Sequence, residues 1–225
     1  MTISSKELEY YQTEYSKFWV NQTKVYGFGK YERFLTKLIA HSNPTRVFEV
    51  GIGTGWPIGA ALHRKNIHVN GCDVAVSSVK LARETLKNQE GIYTGTIMDY
   101  TEEEMYDVTY CVRVSWYINN FQDTLTKMIH MTKPNGYIVF DIMDKYSLCC
   151  TKHQMERMKE TYYRLLGIKD DFRHYGTHFY SIPAIDIFLR KQKIVYKRWS
   201  ERTITGNKDI FTTPKIVYLC RKVDS

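Results

Sequence analysis

The chain has 225 residues, 43% hydrophobic and 25% charged, a balance that fits one globular domain with a sizeable core and excludes a disordered or fibrous protein. Its apolar runs are short and interrupted, and the leading stretch MTISSKELEYYQTEY carries acids and tyrosines, so neither a membrane span nor a secretory signal is expected and the cytoplasm is the default compartment. Five cysteines (72, 111, 149, 150 and 220) without a C-x-x-C spacing argue against a disulfide framework and a metal site, while the net charge of +8 lies wholly in residues 151–225, with 16 Lys and Arg against 8 Asp and Glu.

In chain order, residues 7–20 and 30–41 read as helices, with Leu35, Leu38 and Ile39 on one stripe. RVFEV (46–50) reads as a strand and WPIGAALHRK (56–65) as a helix with Pro57 in its first turn. HVNGCD (68–73) is a strand and VSSVKLARETLKN (76–88) a helix. YTGTIM (93–98) reads as a third strand, TEEEM (101–105) as an acidic turn or short helix, and DVTYCVRV (107–114) as a fourth strand. QDTLTKMIHMTK (122–133) is a helix closed by Pro134 and Gly136, and YIVFDIM (137–143) a fifth strand. This alternation predicts a parallel sheet with helices on both faces and ligands at the carboxyl ends of the strands. After residue 145 the rhythm breaks. HQMERMKETYYRLLG (153–167) is an amphipathic helix, DFRHYGTHFYSIP (171–183) an aromatic loop and IPAIDIFLRKQK (182–193) a helix. IVYKRWSERT (194–203) and TPKIVYLCRK (213–222) read as strands joined through TGNKD. The expected organisation is a single domain over 1–225. It comprises an N-terminal helical cover (1–42), a ligand-binding core (43–144), an inserted substrate cover (145–181) and a C-terminal helix with a strand pair (182–225).

The stretch VFEVGIGTGWPIGAAL (47–62) is the most specific feature. A strand that ends in glycines and feeds a helix forms a corner where a ligand can approach the backbone. Dinucleotide sites use G-x-G-x-x-G; here Gly51, Gly53 and Gly55 alternate, and Trp56 stands where the third dinucleotide glycine belongs. An indole there obstructs a pyrophosphate. Asp73 ends the second strand, placed to accept from ribose hydroxyls. The carboxylate of Asp99, after Met98, can accept from an exocyclic adenine amine. Glu49 can hold the loop or a cationic amino group.

With EVGIGTG (49–55), GCDVAVSSVKLARE (71–84), TIMD (96–99), YDVTYCVRVSWYI (106–118) and KPNGYIVF (133–140), the sequence resembles the class I S-adenosylmethionine-dependent methyltransferases, small-molecule type. The resemblance implies a Rossmann-like, doubly wound α/β fold with a seven-stranded, mostly parallel sheet, its antiparallel C-terminal strand inserted beside the fifth. It implies S-adenosylmethionine as cofactor, with Gly51, Gly53 and Gly55 along the methionine part, Asp73 at the ribose, Met98 and Asp99 at the adenine and Glu49 near the amino end. Val74 and Trp19 complete the expected cofactor set. Arg113 departs from the small or polar residue usual in the family; it is expected either as a structural residue or as a contact to the cofactor carboxylate or an acidic substrate. Ser115-Trp116-Tyr117 replaces the Asn/Asp-Pro-Pro-aromatic signature of many base and glutamine methyltransferases.

Tyr15, Trp116, Tyr117, Tyr146 and Tyr175 are the expected substrate contacts, and His174 and His178 the base candidates for an acceptor that must lose a proton. His41, His63, His68, His130 and His153 fall away from the inferred site. The expected activity is methyl transfer to a nitrogen or oxygen of a small molecule or peptide, by in-line displacement with catalysis mainly by positioning. The alternative is an RNA-associated methyltransferase, or a cofactor-binding module without turnover, that uses the basic tail RKQKIVYKR (190–198).

Overall fold

The computed structural model describes residues 28–101, 103, 105–152, 154, 155, 158, 178–209 and 214–223. The expected helix 7–20 and nearly all of the stretch 153–177 lie outside them. Helix α1, Lys30–Ile39, buries Tyr31, Leu35, Thr36 and Ile39 on one stripe. Strand β1, Arg46–Val50, is buried after its first residue. Helix α2, Ile58–His63, is shorter than its apolar run suggested, because Pro57 stands before its first turn as the cap. Strand β2, His68–Asp73, and helix α3, Val76–Leu86, follow; the helix stops at Lys87, which takes a left-handed conformation.

Strand β3 differs from expectation. It covers only Ile92–Thr94. Gly95 turns the chain at φ +148, and Ile97–Asp99 forms a 3-10 turn closed by a capping box between Thr96 and Asp99. Strand β4 is Tyr106–Cys111, helix α4 is Phe121–Met131 and strand β5 is Thr132–Met143. Pairing of β5 with β4 starts at Thr132 opposite Tyr106 and resumes at Tyr137 opposite Val108. The intervening residues, including Pro134, therefore bulge out where no ladder bond is required. Helix α5 is Ile182–Lys191 and strand β6 is Ile194–Ser200. The run expected to stay extended to 203 is cut at Ser200, whose hydroxyl accepts the Thr203 N–H and starts the short helix α6, Glu201–Thr205. Strand β7 is Lys215–Lys222.

The strands form one seven-stranded sheet in the order β3-β2-β1-β4-β5-β7-β6. Only β7 runs against the others, wedged between β5 and β6. Strand residues alternate between two cores. Val47, Val69, Val108, Tyr110, Val139 and Val217 pack with α1, α2 and α3. Phe48, Cys72, Tyr106, Phe140 and Tyr218 pack with α4 and α5 on the opposite face. The fold is thus the Rossmann-like, doubly wound α/β architecture. Its chain winds outward from β1 through β2 to β3, then returns to the other side of β1 as β4. That reversal leaves a crevice above the carboxyl ends of β1 and β4.

Candidate active site

Three left-handed glycines follow β1: Gly51 at φ +72, Gly53 at +55 and Gly55 at +74. The N–H groups of Gly51 and Ile52 both donate to the Cys72 carbonyl, at 2.8 and 3.0 Å, and fasten the turn to β2. The left-handed φ disfavours a side chain at all three positions, but their surroundings differ. A Cβ on Gly51 would stand 2.6 Å from both Val114 methyls, and one on Gly55 would stand 3.1 Å from Leu86 of α3. A Cβ on Gly53 meets nothing within 4 Å; it would project into open space. Gly51 and Gly53 line the cavity at the strand ends, whereas Gly55 does not; its missing side chain makes room for α3.

The cavity holds about 190 Å³. With roughly 30 Å³ per water in the liquid, that is room for about six waters, hence for part of an organic molecule and not a lone ion. Its wall comes from the loops after β1, β2, β3 and β4, so all four strand ends around the switch point contribute. Among the described residues its charged lining is Glu49, Asp73 and Arg113.

Each of these three is held differently. Glu49 is buried, and its Oε2 accepts the Tyr110 hydroxyl at 2.8 Å. Burial pushes its carboxyl up to about 8, outweighing the Tyr110 bond, with Asp73 adding to the rise. Asp73 spreads its carboxylate over backbone: Oδ2 accepts the Gly53 N–H and Oδ1 the Ala75 N–H, both at 2.9 Å. Burial raises its pKa despite those bonds. Arg113 takes a left-handed φ of +64. Its N–H donates to Asp141 Oδ1 at 2.7 Å, and its Nη1 lies 3.2 Å from Glu32 Oε1. Asp141 is fully buried in β5, also accepts the Tyr31 hydroxyl at 2.6 Å, and is pushed by burial up to about 6.

Of the other expected site residues, Val74 and Tyr117 line the cavity. Asp99 does not: its Oδ2 accepts the Thr96 N–H and hydroxyl at 2.8 and 2.9 Å, while Thr96 and Ile97 form that part of the wall. Met98 projects outward, 44% exposed. Trp116 is buried behind the wall, with Lys215 Nζ over its ring at 5.9 Å. Tyr146 is 72% exposed and off the wall. His178 lies on a returning segment that docks on the site: its N–H donates to the Trp116 carbonyl at 2.7 Å, and the Tyr180 hydroxyl donates to the carbonyls of Ser115 and Ile118. Tyr15, Trp19, His174 and Tyr175 lie outside the described residues.

Sequence reasoning passed over Trp56, Thr96 and Ile97 on the wall, and Tyr110, Asp141 and Tyr31 behind it. Asp141 left a signal, an acid inside the apolar run YIVFDIM. The tail's charge is partly used within the fold. Arg198 pairs with Asp186, Lys215 with Glu201 at 2.8 Å, and Lys222 Nζ donates to the Thr132 carbonyl at 2.8 Å. Among the described residues no cluster of side chains could hold a metal ion, and no helix is long and apolar enough to cross a membrane.

Residues 48–140 match the family described as "Methyltransferase domain". Two curated relatives, both named ubiquinone biosynthesis O-methyltransferase, are similar at 25% identity (Rickettsia prowazekii) and 23% (Rickettsia typhi), each over 64% of this chain. The chain spans 61% and 63% of their lengths. Three solved structures share the fold. A methyltransferase from Thermotoga maritima described as a "possible histamine N-methyltransferase" has a TM-score of 0.60 at 17% identity, over 92% of this chain and 97% of that one. Magnesium protoporphyrin IX methyltransferase from Synechocystis, with bound S-adenosylhomocysteine, has a TM-score of 0.68 at 12% identity, over 95% and 97%. The N-methyltransferase NodS from Bradyrhizobium japonicum, also with S-adenosylhomocysteine, has a TM-score of 0.62 at 14% identity, over 87% of each chain.

Proposed function

We propose that this chain, whose residues 48–140 match a methyltransferase domain, is a class I S-adenosylmethionine-dependent methyltransferase that transfers a methyl group to a nitrogen or oxygen of a small molecule or peptide in the cytoplasm. The observation that carries the reading is the cavity at the switch point, with an open glycine corner and two carboxylates in its wall. S-adenosylmethionine bound there would supply a sulfonium methyl group to an in-line nucleophile, with the neutral thioether of S-adenosylhomocysteine as leaving group. The chain's residues bind and orient. Gly51 and Gly53 let the amino-acid end approach the backbone. Asp73 already accepts the N–H groups of Gly53, Ala75 and Val74, and a carboxylate offers about four acceptor sites, so one remains for a ribose hydroxyl. Glu49, in its ionised form, holds the ammonium. Thr96 and Ile97 take the adenine side, with Asp99 fixing their turn. Positioning of this kind lowers a displacement barrier by roughly 7–11 kcal/mol. Tyr117 faces the acceptor. Where the acceptor must shed a proton, His178 or His174 is the base.

The acceptor class is supported by relatives named for both O- and N-methyl transfer, and by a basic tail whose cations are partly committed to internal partners. Calorimetry with S-adenosylhomocysteine tests the cofactor site: the wild type binds, and Asp73→Ala weakens binding about 10- to 100-fold, the loss of a charge-assisted bond to a carboxylate. Equal affinity in the two would remove the ribose assignment. Acceptor turnover that collapses steeply with salt would instead favour a nucleic-acid partner.

A further inference from the structure

Arg113 stands in left-handed space, at φ +64, without being a glycine. That conformation costs a side-chain-bearing residue about 1–2 kcal/mol, so something must hold it. The Asp141 carboxylate does, through Oδ1 and the Arg113 N–H at 2.7 Å. Its other oxygen takes the Tyr31 hydroxyl at 2.6 Å. The Arg113 guanidinium turns back toward α1 and meets Glu32, the next residue along, at 3.2 Å. Two adjacent residues of α1 are thus bonded, one to Asp141 and the other to Arg113. Just beyond the bend, Val114 presents the methyls that abut Gly51. The bend therefore sets both Arg113 in the cavity wall and the surface that closes against the glycine corner.

We infer that Asp141 is a positioning residue for the cofactor cavity: it is not part of the wall, and its ionised carboxylate holds the Arg113 bend while Tyr31 ties that carboxylate to α1. The inference rests on the cofactor reading above. The groups that act on Asp141 are Tyr31 on α1, Arg113 and Cys111 on the β4 side and Lys215 on β7, with Glu201 of α6 acting on Tyr31. The sign of its shift supports the assignment. Burial raises the folded pKa from 3.8 to about 6. The contribution to stability is therefore full below the unfolded pKa and lost as pH rises through the folded one. At neutral pH the fold keeps a carboxylate whose ionisation opposes folding, as sites kept for function do.

The test follows S-adenosylhomocysteine binding by the full chain from pH 5 to 7.5, together with the backbone amide resonance of Arg113. With a midpoint near 6, the ratio of wild-type to Asp141→Asn affinity should fall about fourfold between pH 7.5 and 5.5, the limb of Glu49 near 8 being common to both proteins and cancelling. Asp141→Asn should bind about tenfold more weakly at pH 7.5 and lose the Asp141 limb, because an amide oxygen replaces one acceptor and a donor replaces the other. Tyr31→Phe should move the limb to higher pH, because the bond removed is one that lowers the pKa. The ligand-free Arg113 amide should titrate with the same midpoint in the wild type and stay flat in Asp141→Asn. Affinity within twofold of wild type for Asp141→Asn across the range, or an Arg113 amide that does not titrate, overturns the assignment. If Asp141→Asn does not fold, Tyr31→Phe decides alone, and an unshifted limb overturns it. A wild type that never binds the ligand fails the cofactor reading, whereas the amide titration still reports whether Asp141 holds the bend.

Discussion

The two ends of the cavity are built from different materials. At the β1–β2 end the wall is mostly backbone: left-handed glycines, N–H groups on the Cys72 carbonyl, and Asp73 bound to two more N–H groups. At the β4 end, the loop that brings Arg113 to the wall is propped from behind by side chains of distant segments, Tyr31 on Asp141, Glu32 on Arg113 and, farther back, Glu201 on Lys215. A backbone-built wall is specified by a few consecutive residues and offers one shape to any ligand that fits it. A wall propped by side chains behind it can change with a single substitution elsewhere in the chain.

The largest expected effect tests the backbone end. Gly51→Ala combines a left-handed φ with a Cβ pressed to 2.6 Å from Val114, and should lower stability by about 2–4 kcal/mol in denaturant melts. A neutral result would mean that the corner is looser than the contact implies. Next is the pH response of Glu49. Its folded pKa of about 8 lies above the ordinary 4.5. Its contribution to stability is therefore full below 4.5 and disappears as pH rises through 8, on the order of a few kcal/mol. Glu49→Gln should flatten the fall in melting temperature between pH 6 and 9. The same fall in both proteins would mean that Glu49 is not the group responsible.

A smaller pair of effects separates the remaining glycines. Gly55→Ala should lower stability by about 1–3 kcal/mol through its contact with Leu86, with little change in S-adenosylhomocysteine affinity. Gly53→Ala meets no neighbour; it should lower stability by only about 1–2 kcal/mol but weaken the ligand about tenfold, since its methyl enters open space at the wall. If the two variants behave alike, the distinction between a packing glycine and a ligand glycine is lost. The smallest effect lies far from the cavity. Lys197 and Arg221 are exposed on the C-terminal strands, and replacing both by Ala should change stability by about 0.5 kcal/mol at most and leave ligand affinity within twofold. A marked loss of acceptor binding in that variant would return weight to an acidic macromolecular partner.

Much of the fold was legible because its signals are local. Alternating strand and helix runs, with Pro and Gly at their ends, pointed to the sheet and its strand count, and the resemblance to the methyltransferase family implied the reversed β7 beside β5. The misreadings at β3 and β6 have the same origin. Thr96 with Asp99 and Ser200 with Thr203 close short turns through side-chain bonds inside runs of strand-forming residues. Within the site, the glycine corner and Asp73 were readable from spacing. Gly55 could not be told from Gly53, since the difference lies in whether Leu86 of a later helix stands opposite. The third strand was expected to run into Met98 and Asp99; it breaks early at Gly95, and the Asp99 carboxylate accepts from Thr96.

By itself the sequence determined the switch-point architecture and the side-chain-free corner, because hydrophobic period and glycine spacing act over a few neighbouring residues. Only the tertiary structure decided which acids reach the cavity and what holds the Arg113 bend. Residues 31, 113, 141 and 215 are separated by long stretches of chain, and only the packing of α1 against β5 and β7 brings their charges within reach of one another.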